Sequence, residues 1–264
     1  LCMLTKADNS ALERILALTA LLATLLVMPW TAFDPINVPK LAVIAIGGFM
    51  AAGLLAANLS ELQRSQNRLL VAIVGIFIVD LFVVLVFSGT NFYEGLFGTF
   101  GRATGFVAYV SLTFLLLASA IASSKSTVNR ISITLIVAGL LSNIYGFFQS
   151  INLDGFNWVN EYSPVIGFLG NPNFQSSFVG FSAIAVFSYL IAKNTKSVYK
   201  LAGFLYLILS AYVIKETDSQ QGFLVLLGGI AIVSLVWISN SRFAVLKYPS
   251  LAFGLLGVAF VVLG

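Results

Sequence analysis

Apolar residues stand in long unbroken runs, at about 12–30, 38–58, 69–88, 103–122, 130–150, 174–192, 199–214, 222–238 and 249–264. None alternates apolar with polar positions, as a half-buried strand does. Each is near the ~20 residues with which a helix crosses hydrocarbon. A helix satisfies its own backbone hydrogen bonds there, so the pattern predicts an all-α bundle of about nine transmembrane spans. A single transmembrane domain over 1–264 is expected, because no repeat, low-complexity linker or soluble segment interrupts the pattern.

Composition strengthens the membrane reading: 59% of residues are hydrophobic and 9% charged, against about 25% charged in ordinary soluble domains. Charge placement then gives an orientation. The N-terminus and the alternate connections hold Lys6, Arg14, Arg64, Arg68, Lys125, Arg130, Lys193, Lys196, Lys200, Arg242 and Lys247. The other connections hold only Lys40, Arg102 and Lys215, with the acids Asp34, Glu94, Asp154, Glu161, Glu216 and Asp218. Basic residues gather on the cytoplasmic side, which predicts a cytoplasmic N-terminus and an outward-facing second set. The net charge of +4 then reports topology and contact with anionic membrane lipids, not nucleic acid.

The chain has no histidine and one cysteine, Cys2. A histidine base, a His-ligated metal, a Ser-His-Asp triad and an internal disulfide are therefore excluded within it. No phosphate-binding loop, dinucleotide fingerprint or metal motif is present, so neither metal nor cofactor is expected. The run at 12–30 ends in Met28-Pro29-Trp30 without a small-residue cleavage site, which disfavours a signal peptide. The chain starts at Leu1 and stops at Gly264 within an apolar run, and a large outer loop and further helices are expected to follow.

The side poor in basic residues carries the candidate chemistry. Gly170-Asn171-Pro172-Asn173-Phe174 follows a connection with Asp154, Asn157, Trp158, Asn160, Glu161 and Tyr162. Asn171 and Pro172 read as the cap and first residue of a helix. They also read as amide donors facing an anion or sugar, and one cap can do both. Arg102, among Gly98, Gly101 and Gly105, is either a snorkelling membrane anchor or a two-pronged diphosphate ligand. Ser142, Tyr145 and Gln149 share a helix face, as helix–helix glue or as ligand groups. Asp218 or Ser219 caps the helix after Lys215. Asp80, inside the third run, reads as a functional carboxylate, and equally as a group with a buried polar partner or in its neutral, protonated state.

At these positions the chain resembles the O-antigen ligase and O-antigen polymerase family of bacterial polytopic membrane glycosyltransferases, in its N-terminal portion. The matching segments are Val38-Pro39-Lys40, Gly98 to Gly105, Tyr145-Gly146-Phe147-Phe148-Gln149 and Gly167 to Asn173. The last is the most specific. Where the family often has Ser-Arg, this chain has Ser219-Gln220, so one expected basic residue is missing or moved.

The resemblance implies an enzyme of lipopolysaccharide and cell-envelope polysaccharide biosynthesis in the bacterial inner membrane. A glycan would pass from an undecaprenyl-diphosphate carrier to a glycan, lipid or protein acceptor, on the periplasmic side and without a metal. Arg102 and Lys215 are then expected at the diphosphate, with Lys40 beside them. Asn171, Asn173, Tyr145 and Gln149 are expected to position sugar or phosphate. The catalytic base is expected beyond this segment, leaving it inactive by itself. Two other classes stay open: a polysaccharide or lipid transporter, and a structural subunit of an envelope assembly.

Overall fold

A computed structural model describes residues 6–30, 34–62, 65–122, 124–156, 158, 163–192 and 195–239. Among them the chain is all-helical, with no strand. The helices are α1 Lys6–Leu25, α2 Asn37–Ala57, α3 Leu59–Leu62, α4 Ser65–Phe87, α5 Phe92–Phe97, α6 Phe106–Ile121, α7 Lys125–Ser150, α8 Pro172–Leu190, α9 Ser197–Glu216 and α10 Gln220–Ser239, with a 3₁₀ turn at Gly167–Leu169 before α8. Five segments are long and apolar enough to cross a membrane: Asn37–Ala57, Asn67–Phe87, Lys125–Ser150, Ser197–Glu216 and Gln220–Ser239. Several such helices in one chain make a multi-pass membrane protein.

The apolar runs up to residue 238 each correspond to a helix; the run at 249–264 lies outside the described residues. Boundaries shift for local reasons. The run at 12–30 becomes a helix that stops at Leu25, since Pro29 biases the residue before it away from helix. The run at 103–122 becomes the 16-residue α6. Its start is delayed by a turn in which Gly98, Gly101 and Ala103 have φ of 89°, 80° and 50°.

The residues gather into two compact units, 1–135 and 136–264, divided within α7. In unit 1 the core joins Leu12 and Leu16 of α1, Ala51 and Leu55 of α2, Val74 of α4, and Leu117 and Ala118 of α6. Helix approach is close because small residues face neighbours. A Cβ at Gly48 would lie 2.6 Å from the Ser111 carbonyl oxygen of α6. In unit 2, Val179, Ala183 and Val186 of α8 pack with Tyr206, Val213 and Ile214 of α9 and Leu226 of α10. A Cβ at Gly222 of α10 would lie 2.8 Å from the Ser176 carbonyl oxygen, so α8 and α10 touch nearly backbone to backbone.

Two carboxylates of unit 1 set the limits of how this fold treats charge. Glu13 on α1 is 3% exposed. It accepts from Asn9 Nδ2 at 3.4 Å, Ser124 Oγ at 3.3 Å, Ser126 Oγ at 3.1 Å and Thr127 Oγ1 at 3.0 Å. Arg130 Nε lies 3.5 Å away. The carboxylate thus ties α1 to the start of α7. Asp80 on α4 is exposed and, among the described residues, makes no hydrogen bond or ion pair. A carboxylate at the centre of a membrane helix costs roughly 2.5–3.5 kcal/mol on insertion scales.

Candidate functional site

The richest polar assembly lies at one end of unit 2, where α7 ends, α8 and α10 begin and α9 ends. Tyr145 and Gln149 are one turn apart on α7 and project from the same face. The chain turns at Asn152, with φ 57°, and returns Asp154 to that face. Asp154 Oδ2 accepts from Tyr145 OH and from Gln149 Nε2, each at 2.9 Å. Its Oδ1 accepts the Phe156 amide at 3.1 Å. Trp158 Nε1 donates to Tyr145 OH at 2.7 Å. Because the phenol has one hydrogen, donated to Asp154, the order Trp158 to Tyr145 to Asp154 is fixed.

Gln149 holds the other flank of the connection. Its Oε1 accepts from the amides of Ile166 at 3.2 Å and Gly167 at 2.7 Å. The Tyr145 ring stacks on Phe168 with centroids 4.4 Å apart. A cleft of about 400 Å³ opens among Gln149, Asp154, Trp158, Ser163, Pro164 and Ile166. Carboxylate and indole together suit a hydroxyl-rich ligand, whose O–H groups donate to Asp154 while its C–H face rests on the ring. A diphosphate would meet repulsion at Asp154.

Anion-favouring geometry lies instead at the starts of α8 and α10. Asn171 caps α8, its side chain accepting from the Asn173 amide at 2.9 Å, with Pro172 at the first helical position. Ser219 starts α10, its Oγ accepting from the Gln221 amide at 3.3 Å. Ser219 Oγ also donates to Asn173 Oδ1 at 2.7 Å. One hydrogen bond therefore joins two helix N-termini. Each contributes about half a positive charge and first-turn amides without intrahelical partners. Of the two capping residues the sequence offers, Ser219 makes the bond, while Asp218 takes the left-handed turn at φ 54°. Lys215, four residues before Ser219, has a side chain 75% exposed and lies 3.5 Å from Glu216.

Five of the sequence-derived site residues fall in unit 2, in three separate groups: Tyr145 and Gln149 on the loop network, Asn171 and Asn173 at the α8 start, and Lys215 at the end of α9. The other two belong to unit 1. Lys40 Nζ donates to the Ala23 and Thr24 carbonyls at 2.9 and 2.8 Å. It closes the C-terminus of α1, where carbonyls lack partners and the helix dipole favours a cation. The loop carrying Arg102 is held to the start of α2 by Asn37 Nδ2, which donates to the Gly101 carbonyl at 2.9 Å. Arg102 itself is exposed. Its guanidinium makes no hydrogen bond or ion pair among the described residues.

Asp154 and Trp158 were visible in the sequence only as residues of the connection before Gly170. Their pairing with Tyr145 spans nine and thirteen positions across an irregular loop, which leaves no periodic signal. Asn157, Asn160, Glu161 and Tyr162 lie outside the described residues. Ser142 does not join the Tyr145–Gln149 network. Its Oγ is buried without a partner among the described residues, while its carbonyl accepts Gln175 Nε2 at 3.2 Å. Comparisons of this chain with protein families, with curated proteins and with solved structures gave no match.

Proposed function

We propose that the chain is part of a membrane glycosyltransferase that takes a glycan from an undecaprenyl-diphosphate carrier. The observation that carries this reading is the pair of helix N-termini at α8 and α10, bridged through Asn173 and Ser219, with Lys215 close in sequence. Joined N-termini are suited to an anion. The adjacent Asp154–Trp158 cleft is suited to sugar hydroxyls. The charge split along the chain supports nine spans, a cytoplasmic N-terminus and a periplasmic position for this polar end, in a bacterial inner membrane.

In the reaction, an acceptor hydroxyl or amine attacks the anomeric carbon and gives up its proton to water or a general base. The bond from that carbon to the diphosphate oxygen breaks, and the diphosphate leaves on its lipid. Fixed donors facing the departing oxygens stabilise the developing charge, and removing one such group typically costs roughly 3 kcal/mol of barrier. Lys215 and the first-turn amides of α8 and α10 are the unit 2 candidates. Arg102, in unit 1, is the separate alternative to that set, because its fork makes no hydrogen bond or ion pair among the described residues and can donate two hydrogen bonds to one phosphate. Lys40 is a weaker one, since two α1 carbonyls already occupy its ammonium.

The same bonds that engage Lys40 and Gln149 favour a second reading, a structural subunit whose polar end only builds the fold. Transfer assays on Arg102→Lys and Lys215→Ala in the intact protein separate the two. The glycosyltransferase reading expects each variant to lose at least about tenfold in rate at unchanged thermal stability. Arg102→Lys retains the charge and the snorkelling stem, so a merely anchoring arginine would tolerate it. Wild-type rates in both variants would overturn these assignments.

A further inference from the structure

Asp80 is an acidic group within a membrane-spanning helix that neither the fold nor the proposed reaction uses. It lies three residues past Phe77, the midpoint of the Asn67–Phe87 span, or about 4.5 Å along the helix axis. The nearer end of the span, Phe87, is seven residues away, about 10 Å. Long lysine and arginine stems reach the interface over such distances. The single methylene of aspartate does not.

The inward face of α4 is formed by Leu70, Val71, Val74 and Ile78. Asp80 points the other way, in the middle of a stripe of exposed Ile73, Ile76, Phe77, Val83 and Val84. A carboxyl group at the centre of an apolar helix face, with no hydrogen bond or ion pair among the described residues, offers half of a complementary pair. Among residues 1–264 no lysine or arginine stands at the middle of an apolar run: Lys6 precedes the first run, and the others lie between runs or within three residues of a run's end. A second copy of the chain would bring a second aspartate to the same depth.

We propose that the exposed face of α4 docks a membrane-spanning helix of a partner protein that carries one lysine or arginine at mid-span, paired with Asp80. Apolar side chains above and below the pair pack against the partner and exclude lipid. The ion pair selects the partner and sets its depth, since displacement along the helix axis separates the charges. This inference stands apart from the glycosyltransferase reading and needs no activity for its test.

The full chain, carrying a donor fluorophore, is reconstituted in neutral phosphatidylcholine vesicles with acceptor-labelled model helices of about 20 leucine and alanine residues. One helix has a central lysine, a second has leucine there, and a third has the lysine one turn from its end. Energy transfer should show the central-lysine helix binding about tenfold more tightly than the leucine helix, with the displaced lysine between them. Asp80→Leu and Asp80→Asn should each abolish the preference while melting as the wild type does, since Asp80 makes no hydrogen bond or ion pair among the described residues. Equal binding of all three helices, or a lysine preference that survives Asp80→Leu, would overturn the proposal. So would energy transfer between differently labelled copies of the chain that depends on Asp80, which would make the occupant a second copy.

Discussion

Glu13 and Asp80 are both carboxylates on helices of unit 1, and their surroundings are opposite. Glu13 is enclosed by three hydroxyls, an amide and Arg130. Asp80 faces outward from a helix of apolar side chains, with no partner among the described residues. A buried charge is tolerated when hydrogen bonds replace the water it lost. Glu13 meets that condition inside the chain, so it belongs to the fold. Asp80 does not, so its partner is sought outside it. Unit 2 repeats the contrast: Gln149 uses both ends of its amide to hold a loop, whereas Lys215 lies largely open.

The contrast predicts a gradient of effects. Glu13→Ala removes the shared acceptor of the Ser124, Ser126 and Thr127 hydroxyls and the partner of Arg130. It should lower unfolding stability by about 3 kcal/mol, measured by denaturant unfolding in detergent; a loss no larger than that of Asp80→Asn would erase the distinction. Gln149→Ala comes next. It frees the Ile166 and Gly167 amides and one contact of Asp154, at about 2 kcal/mol. Hydrogen exchange at those two amides should quicken about 30-fold if local opening governs it; unchanged protection would mean that the loop is held by the Tyr145–Phe168 stack instead.

Much of the helical layout was legible in the sequence because membrane spans announce themselves by run length alone. The 38–58 run and Asn37–Ala57 nearly coincide. The ends were less legible, because a helix can continue into polar residues beyond its apolar run, as α1 does at Lys6, Asp8 and Asn9. At the site, the Asn171-Pro172 cap was readable since capping is local chemistry between neighbours. Lys40 was not readable as a helix-closing residue, because its acceptors are backbone carbonyls sixteen and seventeen positions earlier. No side-chain pattern marks such a partner. The Asn173–Ser219 bridge was equally hidden, as it depends on the close approach of α8 and α10 through Gly222.

The most direct test of the central claim is binding of the carrier itself. The chain in vesicles is titrated with undecaprenyl diphosphate and, separately, with undecaprenyl monophosphate. The two ligands have the same tail and differ by one phosphate. Binding to a site built from helix N-termini and cations should favour the diphosphate by about tenfold or more, and the preference should shrink in Lys215→Ala. Equal affinity for the two lipids, unchanged by that substitution, would show that only the tail is recognised and would contradict the account.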